Sequence, residues 1–230
     1  MDITDRQKNI LNSLVGEYIE SARPVSSKSL DKKCGLSLSS ATIRNEMQKL
    51  TDAGFISQPH TSAGRVPTDK GYRFFVDSFM EKEDPFDASE LMDREITDSI
   101  KFIQQLTKNL ASESSALSLG YLPEENLFWK EGWETVLQEP EFREEGVISS
   151  FVDLVKNFEE AVGELEGDYD IKVFIGRENP FPKAKEFSII VSRCNLPKEK
   201  GILAILGPKR MSYSKTINTL NHLSKLIKGL

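Results

Sequence analysis

The first 67 residues read as three short helices followed by a hairpin, and that order constrains the fold more than anything else in the chain. Ile10, Leu11, Leu14, Val15, Tyr18 and Ile19 recur at helical spacing over residues 4–20, with Thr4 placed to cap the N-terminus. Arg23-Pro24 ends that segment, because proline lacks an amide donor and pushes the preceding residue out of the helical region. Ser26 or Ser27 then caps a short helix around Leu30, closed by Gly35. A third helix begins after Leu38-Ser39-Ser40, carries Ile43, Met47 and Leu50 on one side, and closes at Gly54. Residues 55–59 read as a short strand, His60–Gly64 as a loop, and Arg65-Val66 as a return strand before Pro67. Helix, helix, helix, hairpin is the order of a winged helix-turn-helix.

At 100° per residue, Ile43, Met47 and Leu50 point to the core, while Ala41, Asn45, Gln48 and Lys49 point away, with Thr42 beside them and Arg44 on the flank. Asn and Gln amides pair a donor with an acceptor, the pattern that adenine shows in the major groove. Ser39 and Ser40 bring hydroxyls and free backbone amides to the helix N-terminus, where a phosphate can be held. A solvated helix face shows the same residue types, so it is the helix and hairpin around it that favour recognition. The loop His60-Thr61-Ser62-Ala63-Gly64 is small and polar and ends in Arg65, whose guanidinium can enter a minor groove or grip a phosphate. Thr61–Ala63 also fits a plain surface turn. His60 has no second ligand at metal spacing, and the other histidine is His222.

The stretch LSSATIRNEMQKLTDAGFISQPHTSAGRVPTDKGYRFFVD, residues 38–77, resembles the N-terminal domain of the heat-inducible transcription repressors, the HrcA family. The string QPHTSAGRVPTDKGYR is the most specific part, and the resemblance reaches back to Thr4. It implies a bacterial repressor of chaperone operons that binds double-stranded DNA at an inverted-repeat operator as a homodimer, with a chaperonin as a further partner. Carried onto this chain, the recognition helix is Ser40 to Leu50 and the wing His60 to Arg65.

Beyond the hairpin, charge divides the chain. Residues 1–80 hold 11 Lys+Arg and 9 Asp+Glu, residues 81–170 hold 7 and 24, and residues 171–230 hold 12 and 3, giving +2, −17 and +9 within a total of −6. Pro67 to Met80 reads as a helix with Tyr72, Phe75, Val76 and Phe79 in a stripe, and Lys82–Asp87 as a domain boundary. Ser89 to about Ser114 reads as a long helix with Ile96, Ile100, Ile103, Leu106 and Leu110 in register, either a dimer seam or one face of a core. Asn126–Trp133 gathers both tryptophans, as a small core or a partner surface. Glu124, Glu125, Glu131 and Glu134 have no histidine beside them and read as a solvated acidic face. A helix over about 143–165 buries Val147, Phe151, Leu154, Val155 and Phe158.

The basic end reads as strands at 171–176, 187–191 and 201–207 and a helix from Tyr213 to Ile227, a small α+β arrangement. Its string GILAILGPKRMSY resembles the end of the repressors' GAF-like domain. The +9 charge either contacts nucleic acid or neutralises the acidic block by packing in the same domain. Gly176-Arg177-Glu178-Asn179 lacks phosphate-loop spacing, and Cys194 has no nearby histidine. Family members are longer and carry an inserted domain that helps them dimerise; here only a short segment separates Leu119 from the LQEPEF string at 137–142.

The expected molecule is therefore α+β: a winged helix-turn-helix over 1–80, a linker and long helix over 81–115, and a reduced GAF-like effector and dimerisation domain over 116–230. It is expected to bind DNA through Ser39, Ser40, Thr42, Arg44, Asn45, Gln48 and Lys49 of the helix and His60, Thr61, Ser62, Gly64 and Arg65 of the wing. No catalysis, cofactor or metal is expected, and no run of about 18 apolar residues suggests a membrane span. A cytoplasmic location follows from the polar N-terminus and the two isolated cysteines. The competing reading is a ligand- or protein-interaction regulator whose operator binding is altered or lost.

Overall fold

A computed structural model describes residues 3–33, 38–80, 98–165, 170–195 and 199–228. The chain divides into two compact units, Met1–Glu81 and Lys82–Leu230.

The first unit opens with α1 (Asp5–Ser21), started by a capping box in which Gln7 N–H donates to Thr4 Oγ1 at 3.3 Å and Thr4 N–H to Gln7 Oε1 at 2.9 Å. Ile10, Leu11, Leu14 and Val15 are buried along one face, each contributing about 1.5–3 kcal/mol. Ala22 turns the chain in the left-handed region (φ 52°), and Pro24 prevents a restart. Val25 then exchanges two backbone hydrogen bonds with Arg65, both 2.8 Å, so the segment after α1 lies against the returning strand of the hairpin. Two helices follow, α2 (Ser27–Lys33) and α3 (Ser40–Asp52), then β1 (Ile56–Ser57) and β2 (Val66–Pro67), paired with Ile56 opposite Pro67. The next helix, α4 (Asp69–Met80), starts two residues later than its sequence suggests, because Pro67 is held in β2. Thr68 Oγ1 supplies the stop and start together: it donates to Gly54 O (2.7 Å) and accepts from Gly71 N–H (3.2 Å).

The second unit begins with α5 (Ser99–Ser114), capped by Asp98, whose carboxylate accepts from Lys101 N–H at 3.1 Å. Then come β3 (Leu117–Leu122), β4 (Leu127–Glu131), α6 (Trp133–Val136), α7 (Val147–Ala161), β5 (Ile171–Ile175), β6 (Phe187–Asn195), β7 (Lys200–Pro208) and α8 (Tyr213–Lys228). The five strands form one antiparallel sheet in the order β4-β3-β7-β6-β5. Alternation sends Leu117, Leu119, Phe187, Ile189 and Leu206 to one face, against Phe151, Leu154, Val155 and Phe158 of α7. The other face carries α5 and α8; there Tyr213 Oη bonds Ser188 Oγ at 2.6 Å and donates to Lys209 O at 2.7 Å. This sheet with helices on both faces is the α+β, GAF-like arrangement expected.

Two strands exceed that expectation. Residues 117–122 and 127–131 form the β3–β4 hairpin, where the sequence suggested only an aromatic cluster. The apolar stripe of α5 is packed on the sheet, with Phe102, Ile103, Leu106 and Leu110 buried, the second of the two uses open to it. The boundary at Lys82–Asp87, the start of the long helix at Ser89 and the closure by Gly35 lie outside the described residues. Basic residues of the last third pair with acids of the middle: Arg210 with Glu139 and Glu141, Lys183 with Asp153 (2.9 Å), and Lys215 with Glu113 (2.7 Å). Part of the +9 thus neutralises the acidic block within one domain.

Candidate nucleic-acid interface

Ser39 caps α3, accepting from Thr42 N–H at 3.2 Å and bonding Thr42 Oγ1 at 2.9 Å. Ser40 Oγ donates to Asp31 of α2 at 2.5 Å. All three hydroxyls therefore have partners inside the unit and fix where α3 begins. The buried side of the helix holds Ile43, Met47 and Leu50, as the spacing requires, and also Glu46. Glu46 accepts from Gln7 Nε2 of α1 (2.9 Å) and from Lys49 Nζ (3.0 Å). The hydrogen bond from Lys49 holds its carboxyl below the usual range; burial opposes this and the bond from Gln7 assists.

Ala41, Arg44, Asn45, Gln48 and Lys49 are exposed on the opposite side. Arg44 and Asn45 make no side-chain hydrogen bond to another described residue, so both are open to a ligand. Gln48 is engaged at both ends. Its Nε2 donates to Asp52 Oδ1 at 2.8 Å, and its Oε1 accepts from Arg65 Nη2 at 3.2 Å. Arg65 Nε also donates to Thr51 Oγ1 at 3.1 Å, so one guanidinium joins the wing to two residues of α3.

The wing is shaped from within. Gln58 Nε2 donates to Thr61 O (2.9 Å) and Ala63 O (3.0 Å), and Ala63 N–H to His60 O (2.9 Å). His60, Thr61 and Ser62 remain exposed at the tip. Gly64 has a packing reason for its identity: a Cβ there would stand 2.4 Å from Val25 O. An open cleft between wing and helices is lined by Ser26, Ser27, Arg44, Gln58, Thr61 and Arg65. Helix face and wing tip thus flank one concave surface bearing amides, hydroxyls and guanidiniums.

Sequence reasoning singled out the exposed residues and passed over those that hold them: Gln7, Glu46, Thr51, Asp52 and Gln58. A signal existed for Glu46, which stands three residues after Ile43 and four before Leu50 and so shares their inward face. The contacts of Gln58 and Thr51 depend on the path of the wing, which spacing does not encode.

No group of three or more His, Cys, Asp or Glu is arranged to hold a metal among the described residues. Burial pushes the Cys194 thiol up to about 12, so it is not a thiolate at neutral pH. No described helix is long and apolar enough to cross a membrane.

An exposed third helix joined to a wing defines the winged helix-turn-helix class of DNA-binding transcription regulators. Two family models match the chain: a winged helix-turn-helix transcription repressor, HrcA DNA-binding, over residues 2–79, and the HrcA protein C-terminal domain over residues 73–217. The chain belongs to the HrcA family of transcription repressors.

A heat-inducible transcription repressor HrcA of Thermoanaerobacter pseudethanolicus is 29% identical over 335 positions, covering 100% of this chain and 97% of the relative. The chain's 230 residues fill all but 105 of those positions, so this relative carries internal sequence that the chain lacks. A second, from Acetivibrio thermocellus, is 41% identical over 129 residues, covering 54% of this chain and 37% of the relative. A crystal structure described only as that of a hypothetical protein has the same fold, with a TM-score of 0.84 at 22% identity over 99% of both chains.

Proposed function

We propose that this protein represses transcription by binding duplex DNA through the exposed face of α3 and the wing, as a homodimer on an inverted-repeat operator of heat-shock chaperone genes. The observation that carries the reading is the join between Arg65 and Gln48. It presents helix and wing as one preset surface, with Arg44 and Asn45 left free to reach base edges. The Ser39 end of α3 and the wing tip supply the phosphate contacts that set register. The two-fold follows from the operator, since an inverted repeat is matched by two copies of one reading head. Family membership supports a chaperonin as the regulatory partner and the bacterial cytoplasm as the setting.

Gel-shift titration of the full chain against an inverted repeat and a scrambled duplex tests the reading. Specific binding that weakens steeply as salt rises is the expected result. Equal affinity for both duplexes at physiological salt overturns operator recognition and favours a ligand- or protein-interaction regulator.

A further inference from the structure

Each end of the five-stranded sheet is a place where another strand can add, and the two ends differ. At one end, β5 is largely buried: Ile171, Val173, Phe174 and Ile175 are all covered. At the other, Leu127, Phe128 and Trp129 of β4 are half-buried, and Lys130 and Glu131 are exposed. The outward backbone groups of β4 have no partner among the described residues. Natural sheets cover, bend or charge such an edge. Here, Lys101, Gln104, Gln105 and Lys108 of α5 form an open groove with Trp129 and Glu131 along it.

We infer that this edge and groove dock a second copy of the chain, β4 pairing antiparallel with β4 of the copy about a two-fold axis at Trp129. The inference rests on the homodimer reading above and names its interface.

Two features select a second copy as the occupant. The first is register. α5 leads through a tight turn into β3, so it runs antiparallel to β3 and parallel to β4. Trp129 lies opposite Gly120, which sits beneath Ile103 and Thr107, near the middle of α5. Glu131 therefore lies toward the Lys108 end of the groove and Leu127 toward the Lys101 end. A two-fold at Trp129 brings Leu127 of the copy beside Glu131, and with it Lys101 of the copy. Each groove end then joins a carboxylate of one chain to an ammonium of the other.

The second is charge. Residues 81–170 net −17, and most faces built from them repel their like. The groove presents Lys101 and Lys108 against Glu131, so two copies meet there without that penalty.

The test is sedimentation of the full chain as wild type, Glu131→Lys, Lys101→Glu and the double charge swap, with thermal unfolding as a control for folding. The wild type is expected to be a dimer, each single change to weaken it at least about tenfold, and the double change to recover most of the loss. A wild-type dimer indifferent to both single changes overturns this interface while leaving the homodimer reading intact. A wild type that stays monomeric at tens of micromolar overturns both. Single changes that weaken the dimer without recovery in the double overturn the Glu131–Lys101 register.

Discussion

Arg65 of the wing and Gln48 of α3 are joined side chain to side chain, Nη2 to Oε1 at 3.2 Å. The sequence suggests separate duties for them, a base-reading amide and a phosphate-gripping guanidinium. The bond links the two side chains: a Gln48 amide turned toward a base gives up Arg65 Nη2, while Arg65 Nε keeps its bond to Thr51 Oγ1. Gln48→Ala and Arg65→Ala are therefore expected to be non-additive. Each should cost about 1–3 kcal/mol of operator affinity, and the double variant clearly less than the sum. Asn45→Ala, which breaks no intramolecular bond, should relax sequence preference and add independently. A double-mutant cycle on operator and scrambled duplex measures this; additive losses for Gln48 and Arg65 would show that the bond does not matter for binding.

Glu46 makes the DNA-reading unit sensitive to acid. Its carboxyl is held below the ordinary value of 4.5 first by the hydrogen bond from Lys49, with Gln7 of α1 also donating. A lowered folded pKa means the folded state binds a proton less readily than the unfolded chain. The contribution is complete above 4.5 and is lost as pH falls through the folded value below it. Glu46→Gln should lower stability at neutral pH, and the difference from wild type should shrink on acidification. Denaturant unfolding of both proteins at a series of pH values checks the sign. A gap that widens toward acid contradicts the assignment.

The winged helix was legible because each of its elements has a local signature. Thr4 and Ser39 cap helices at the positions the sequence marks, and Pro24 and Gly54 end them. The hairpin before Pro67 closes as its turn residues suggest. What spacing could not supply was the tertiary use of polar groups: Glu46 facing inward, and Arg65 turned back to α3. In the second unit, α7, the last three strands and α8 were visible as apolar runs. The β3–β4 hairpin was not, because LSLGYL is buried on both faces and shows no alternation, and Gly120 reads as a break.

Gly120 is there for close approach. A Cβ would stand 2.3 Å from Thr107 Oγ1 and 2.7 Å from Ile103 Cγ1, both in the buried seam between α5 and β3. Gly120→Ala should destabilise the sheet unit by about 1–3 kcal/mol through overpacking. Thr107→Ala in the same chain should return part of that loss, since it removes the nearer atom. Thermal unfolding reads both effects, and a neutral Gly120→Ala would mean that α5 does not rest on β3 as described.

Arg210 joins the oppositely charged parts of the sheet unit. Its Nε donates to Glu141 Oε1 at 2.8 Å, its Nη2 reaches Glu139 as well, and the side chain is only 9% exposed. Burial lowers the affinity of the guanidinium for its proton, but Glu141 and then Glu139 outweigh this and hold it above its usual value. Arg210→Met would leave two carboxylates facing each other in a partly closed site. Removing one side of a buried pair costs about 3–5 kcal/mol, and the low end applies here because both glutamates keep some contact with water. Replacing Glu139 and Glu141 with Gln in the same background should recover part of the loss by ending their repulsion. Lys at position 210 keeps the charge but loses the fork that grips both partners, and should fall between wild type and Met. Denaturant unfolding of the four proteins checks the order. A methionine variant as stable as wild type would show that the pairing adds nothing beyond packing.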